Sequence, residues 1–100
     1  MNRKMILEES EKCICSKREA DYGTPHDNFK IIANLWTVYL QKVAGLDTNI
    51  TSQDVAIMMA LLKIGRISSG VVKEDNYIDA AGYIALAGEI ATSVELFIDG

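Results

Sequence analysis

The stretch KEDNYIDAAGY, Lys73–Tyr83, opens the last helical segment of the chain. Asp75, Asp79 and Tyr83 follow one another at intervals of four residues, so they share one face of a helix. A carboxylate on a face that the flanking apolar residues would bury is costly unless a cation, a metal or a ligand meets it. The two aspartates therefore need a partner.

Two basic residues of the preceding apolar run VAIMMALLKIGRI, Lys63 and Arg66, are the candidate partners. In one interpretation Asp75 caps the last helix and Asp79 pairs with Lys63 or Arg66. In the other, Asp75 and Asp79 hold Mg²⁺, which prefers carboxylate oxygens and neutralises a nucleotide triphosphate. Such a metal site takes further carboxylates from another helix, and the candidates are Glu8, Glu9, Glu11 and Asp54.

Four segments have the apolar spacing of helices. They are Arg3–Arg18, Pro25–Ala44, a third from Thr51 or Ser52 to Ile67, and a fourth from Glu74 or Asp75 to near the C-terminus. The third is apolar nearly all round and is expected to be the most buried. Thr24 is the predicted N-cap of the second helix, and Gly45 ends it. The sequence predicts an all-α, four-helix bundle-like single domain over residues 1–100.

Small residues recur along the fourth helix, among them Gly82, Ala85, Gly88 and Ala91. Glycine inside a helix costs about 1 kcal/mol relative to alanine, and a close approach of another helix compensates for that cost. The partner is either the third helix or a second subunit. The chain is therefore expected to form a dimer or a higher homo-oligomer.

Composition limits the partners of the chain. Its 100 residues carry a formal net charge of -4, which argues against nucleic acid but leaves small anionic ligands open. The N-terminal residues lack a secretory signal, and acidic residues interrupt the longest apolar stretch, so a cytoplasmic protein and no membrane span are expected. Cys13 and Cys15 are two residues apart, and we expect reduced, partly buried thiols rather than a disulfide or a zinc site.

The segment DYGTPHDNF, residues 21–29, leads into the second helix. The unpaired N–H groups at a helix start attract phosphate, so a nucleotide phosphate is one interpretation of this segment, with Tyr22 beside it. A capped helix start with Tyr22 packed over Pro25 is the other. No nucleophilic triad, glycine-rich phosphate loop or paired-cysteine motif occurs in the chain, and no catalytic residue is assigned.

Three segments carry a resemblance to known families. DYGTPHDNFKIIANLWTVYL, DVAIMMALLKIGRISSG and KEDNYIDAAGYIALAGE closely resemble an uncharacterised family of small phage and prophage proteins. The order D-Y-G, a lysine-bearing apolar helix, then D-N-x-x-D-x-x-G-Y is more distantly similar to the all-alpha NTP pyrophosphatases, the MazG-like enzymes. The E-x-x-E pair of those enzymes has no clear counterpart here, although Glu8 and Glu11 have its spacing.

The distant resemblance implies a helical, magnesium-dependent and oligomeric protein that handles nucleotides. By that resemblance, Asp79 takes the place of the last metal-binding acid, with Asp75 or Asn76 near its partner. The residues expected to contact a nucleotide or its phosphates are Lys63, Arg66, Lys73, Tyr22, Asn76 and Tyr83. Three functions stay open: a hydrolase of nucleoside triphosphates, a non-enzymatic phage protein that sequesters a nucleotide defence signal or inhibits a host defence protein, and a structural interaction module.

Overall fold

The computed structural model describes residues 1–15 and 24–99, and every regular element in these ranges is an α-helix. The elements are α1 (Arg3–Ile14), α2 (Pro25–Ala44), α3 (Ser52–Ile67) and α4 (Glu74–Asp99). The predicted all-helical class is confirmed for these residues. Within the same ranges, no helix combines the length and the apolar character that a membrane span needs.

Local side chains set the ends of α2 and α3. Thr24 Oγ1 accepts the N–H of Asp27 at 3.2 Å, and Gly45 ends α2 in the left-handed region at φ +62°. Thr51 and Asp54 cap α3 reciprocally, each side chain accepting the other residue's backbone N–H. The predicted boundaries of these two helices are therefore confirmed.

The first helix is shorter than the sequence suggests. It was expected to continue to Arg18, but α1 ends at Ile14 because Cys15 is extended, with φ -108° and ψ 159°. Residues 16–18 of the predicted helix lie outside the described residues. Cys13 and Cys15 are both free thiols, as expected, but both are exposed, so the expected partial burial is wrong. Only the face of α1 that carries Ser10 and Ile14 is turned towards α4.

The core lies where α2, α3 and α4 meet. It consists of Phe29 and Ala33 from α2, Val55 and Ala56 from α3, and Leu86, Ala87 and Ile90 from α4. Val55 is fully buried. Helix α3 was expected to be the most buried element because it is apolar nearly all round, but its outer face is exposed at Ile57, Leu61 and Ile64. Among the described elements only α2 and α4 pack extensively on α3.

Helix α4 is the longest element and packs against both α3 and α1. Ser10 of α1 is buried and donates its hydroxyl hydrogen bond to the carbonyl of Ile78 at 2.7 Å. A Cβ placed on Gly82 would come within 2.9 Å of Ile14 Cγ2. One glycine of the small-residue helix is therefore explained by contact with α1 inside the same chain.

Two exposed surfaces bear on the predicted oligomer. Gly88 faces open space, because a Cβ on it would meet nothing within 4 Å. The outer face of α2 carries Ile31, Leu35 and Val38 one turn apart, and Leu35 is 65% exposed. A homo-oligomer stays a prediction, with the α4 surface and the α2 surface as its alternative contact faces.

Because Ile14 lies close to Gly82, replacing glycine by alanine should have opposite effects on stability at positions 65 and 82. Gly65→Ala in α3 meets nothing within 4 Å and should stabilise the fold by about 0.5–1 kcal/mol, the ordinary gain in helix propensity. Gly82→Ala should instead destabilise it by about 1–2 kcal/mol, because the branched side chain of Ile14 has little rotamer freedom to move aside. Urea denaturation of both variants measures the difference. Equal stabilisation by the two substitutions would contradict the packing of α1 on α4.

The predicted oligomer is tested by substitutions on its two alternative faces. Gly88→Leu should dissociate it by steric exclusion if α4 forms the contact, whereas Leu35→Glu should dissociate it if α2 does, because a carboxylate is costly in an apolar interface. Both positions are exposed, so the helical circular-dichroism spectrum should persist. Light scattering at micromolar concentration gives the molecular mass, and a monomeric wild-type protein would remove the prediction.

Candidate functional site

The charge cluster predicted around α3 and α4 contains one well-formed ion pair. Lys63 Nζ lies 3.0 Å from Asp79 Oδ2, and the two side chains are 14% and 34% exposed. The ion pair joins the last part of α3 to the first part of α4. Charges that are withdrawn from water in this way need each other, since removing one partner leaves the other partly buried and unpaired. Asp79 and Lys63 therefore have a structural role.

Few of the described side chains are placed to coordinate the predicted Mg²⁺. Asp75 is exposed, and one oxygen of Asp79 already faces the Lys63 ammonium. Among the side chains that the structure describes, those of residues 1–15 and 24–93, no three His, Cys, Asp or Glu come together as they would around a metal. Mg²⁺ usually combines one or two carboxylates with waters and substrate phosphates, so Asp75 and the second oxygen of Asp79 are the donors that remain for it. Magnesium binding stays a prediction.

The acidic residues of α1 belong to the surface. Glu8 and Glu11, which have the E-x-x-E spacing, are exposed, and Glu8 lies 3.9 Å from Lys4. Glu9 accepts a hydrogen bond from Lys12 at 3.1 Å, and this bond and the carboxylate charge raise the pKa of Lys12. These pairs join neighbouring turns of one exposed helix, where ion pairs contribute little to stability. They do not extend the charge cluster of α3 and α4.

Three of the predicted ligand residues come together in one cleft. Arg66, at the end of α3, and Lys73 and Asn76, at the start of α4, line a cleft of about 330 Å³. Its other lining residues are Ser69 and Val71, which the sequence interpretation did not single out. The lining holds two cations, a hydroxyl and an amide, and no acid. We call it the Arg66–Lys73 cleft.

The turn between α3 and α4 builds this cleft. Gly70 takes φ +90°, a conformation that other residues rarely adopt, and it reverses the chain. Ser69 precedes it and bonds back to the carbonyl of Arg66 through both its N–H, at 3.2 Å, and its hydroxyl, at 2.7 Å. The turn is therefore held in one shape, and it brings Arg66 and Lys73 to the same side of the hairpin.

Asn76 is the most informative residue of the cleft. It is only 8% exposed, yet its side-chain amide makes no hydrogen bond to any part of the chain that the structure describes. Every polar side-chain atom that is sealed from solvent has a hydrogen-bond partner among the described residues. The unpaired amide of Asn76 is therefore not fully enclosed, and Asn76 lines the cleft. A polar ligand in the cleft would give this amide hydrogen-bond partners that the described residues do not supply.

The remaining predicted ligand residues do not line the cleft. Lys63 is engaged by Asp79. Tyr83 is half-buried and packs its ring against Phe29, with ring centroids 6.3 Å apart, at the edge of the core. Tyr22 lies outside the described residues. Of the predicted phosphate contacts, the structure therefore brings Arg66, Lys73 and Asn76 together in one cleft.

The ion pair predicts an asymmetric response to substitution. Asp79→Asn should lower the stability of the protein by about 1–3 kcal/mol, because Lys63 then stays withdrawn from water without a counter-charge. Replacing both partners, Lys63→Met with Asp79→Leu, should recover much of that loss. Glu89→Gln is the control, since Glu89 is an exposed carboxylate of the same helix. A thermal melt in which Asp79→Asn matches Glu89→Gln would contradict the structural role of the pair.

Comparison with known proteins identifies the family of the chain. Residues 5–91 match the model described as "Domain of unknown function (DUF6378)". The "Gene 55 protein" of Mycobacterium phage D29 is 41% identical over 78 residues, and that of Mycobacterium phage L5 is 40% identical over 78 residues. The match covers 78% of this chain but 48% and 47% of those proteins, so the chain spans about half the length of these relatives. No solved structure matches. The resemblance to an uncharacterised phage family is thus confirmed: the chain belongs to the DUF6378 family.

Proposed function

We propose that this chain binds a phosphate group of a nucleotide, or of a nucleotide-derived small molecule, in the Arg66–Lys73 cleft. The observation that carries the proposal is Asn76, a residue only 8% exposed whose amide has no partner among the described residues and which lines a cleft with two cations and no described acid. A phosphate offers several acceptor oxygens and a negative charge, and it satisfies the amide and both cations at once.

The two cations of the cleft have different roles towards phosphate. The guanidinium of Arg66 can bind two phosphate oxygens side by side, whereas the ammonium of Lys73 acts as a compact charge on a flexible stem. Each charge-assisted hydrogen bond contributes about 1.5–3 kcal/mol. Glu74 and Asp75 follow Lys73 in the first turn of α4 and weaken the attraction of its N-terminus, but neither lines the cleft.

The nucleotide part of the proposal comes from the resemblance to MazG-like NTP pyrophosphatases. Those enzymes use Mg²⁺ and water to cleave a nucleoside triphosphate into a monophosphate and pyrophosphate. The geometry favours binding without hydrolysis, because Asp79 is paired with Lys63 and the described carboxylates do not gather around a metal position. Asp75 and Asp79 would hold the ion if hydrolysis occurs.

A non-enzymatic role fits a phage relative of this size. The relatives with assigned names are phage proteins, and a protein that binds a nucleotide without cleaving it would sequester a nucleotide defence signal in the host cytoplasm. Inhibition of a host defence protein is the other non-enzymatic proposal. Because the chain spans about half of those relatives, both roles and homo-oligomerisation are proposed for this domain alone.

The Arg66–Lys73 cleft is tested with ATP and AMP, each with and without Mg²⁺, by isothermal titration calorimetry. Arg66→Ala and Lys73→Ala should each weaken binding about tenfold or more, the loss of one charge-assisted hydrogen bond. Lys42→Ala is the matched control, because Lys42 is an exposed lysine in the last turn of α2. Equal weakening by all three substitutions would indicate nonspecific attraction and reject the cleft.

Asn76→Leu separates a binding role from a structural one. It removes the unpartnered amide, so we expect unchanged or higher stability of the ligand-free protein together with weaker nucleotide binding. Lower stability with unchanged binding would show that Asn76 only supports the fold. Assaying the same samples for pyrophosphate release with ATP and Mg²⁺ distinguishes hydrolysis from binding.

A further inference from the structure

A second and larger cleft lies at the other end of the hairpin formed by α3 and α4. Its volume is about 610 Å³, within the range of small-molecule sites. It is bounded by the first half of α2, the start of α3 and the later part of α4, and four apolar residues contribute to its lining, Ala33, Ile50, Ile90 and Ala91. Ala33 and Ile90 belong to the buried surface of the core, so the apolar part of the cleft is rigid.

Among the described residues, the polar lining of this cleft has no acid. His26, Lys30 and Asn34 stand four residues apart and share one face of α2, and Gln53 faces them from α3. The whole chain has 14 acidic residues against 10 basic ones, yet the lining holds a lysine, a histidine and two amides. These described side chains, with Lys30 as their cation, favour an anion.

Hydrogen bonds between elements hold the walls of the cleft in place. Ser52 donates its hydroxyl hydrogen bond to the carbonyl of His26 at 3.3 Å. The N–H of Ile50 donates to Thr37 Oγ1 at 2.8 Å, and that hydroxyl in turn donates to the carbonyl of Ala33. The segment leading into α3 is therefore tied to α2 at two places, and a ligand would not have to order these walls.

The first turn of α3 contributes backbone N–H groups that the helix itself does not use. The capping box uses the N–H groups of Thr51 and Asp54. The N–H groups of Ser52 and Gln53, both in the first turn and both lining the cleft, have no acceptor among residues 1–15 and 24–93, whose side chains the structure describes. Free N–H groups at a helix N-terminus attract negative charge. They lie on the same cleft as Lys30, which is an independent reason to expect an anion there.

We propose that this cleft binds a small organic anion with one carboxylate or phosphate group and a compact apolar body. The anionic group would contact Lys30 and the first turn of α3. The apolar body would lie on Ala33, Ile90 and Ala91, where two alanines leave room for it. This site shares no lining residue with the Arg66–Lys73 cleft, so it does not depend on the function proposed there.

Phenyl phosphate is a suitable probe because it joins an anion to a flat apolar ring. Inorganic phosphate and benzyl alcohol serve as its charged and apolar halves. In a two-dimensional ¹H–¹⁵N NMR titration, phenyl phosphate should shift the amide signals of Ala33, Ile50 and Gln53 saturably, with at least about tenfold tighter binding than either half, the gain from one additional favourable contact. Shifts confined to Arg66, Lys73 and Asn76 would overturn this proposal while supporting the other cleft.

Matched lysines on α2 provide the decisive comparison. Lys30→Ala should weaken phenyl phosphate binding about tenfold, whereas Lys42→Ala, on the same helix but outside the cleft, should leave it unchanged. Both side chains are exposed, so neither substitution disturbs the core. Ala91→Leu should abolish binding of the ring by filling its space, with circular dichroism as a check on folding. Equal effects of Lys30→Ala and Lys42→Ala would overturn the site.

Discussion

The close packing of α4 between α1 and α3 is the constraint on which the other features depend. Alanines at the contact with α3, such as Ala56 and Ala60, are almost completely buried. On its other side, α4 admits Ile14 only because residue 82 has no side chain. Helices that approach through small residues cannot shift along each other without loss of contact, because interiors are close-packed. This packing fixes the positions of the charged residues on α3 and α4.

The packing of α4 on α3 determines which charged side chains pair with each other and which stay open to a ligand. Lys63 and Asp79 lie opposite each other across the hairpin and form the ion pair. Arg66 is three residues further along α3 and therefore about one turn beyond the pair, next to the turn that contains Gly70. Because Asp79 is engaged by Lys63, it does not neutralise Arg66. The pair thus leaves a cleft whose described lining has two cations and no acid, and the phosphate proposal rests on this division.

The sequence predicted the features that depend on nearby residues, above all the helix ends. The starts of α2 and α3 and the end of α2 follow from Thr24, Thr51 and Gly45, whose caps act within a few residues. Burial was harder to predict, because it depends on which helices meet. Cys13 and the outer face of α3 are exposed for that reason. Arg66, Lys73 and Asn76 were among the predicted ligand residues and line one cleft, whereas Ser69 and Val71 enter that cleft only through the left-handed turn at Gly70; phosphate binding there stays a prediction.

A protein with a net negative charge can still group cations away from its acids. Three of the ten Lys and Arg residues, Lys30, Arg66 and Lys73, line two separate clefts at opposite ends of the α3–α4 hairpin, and the described residues of both linings include no acid. Each cleft joins different helices, the Arg66–Lys73 cleft α3 to α4 and the larger one α2 to α3 and α4. A ligand bound only by the folded state stabilises that state. A ligand in either cleft would therefore stabilise a different contact between helices. Ala33 and Ile90 belong to both the core and the larger cleft, so binding there would act directly on the packing of α2 and α4.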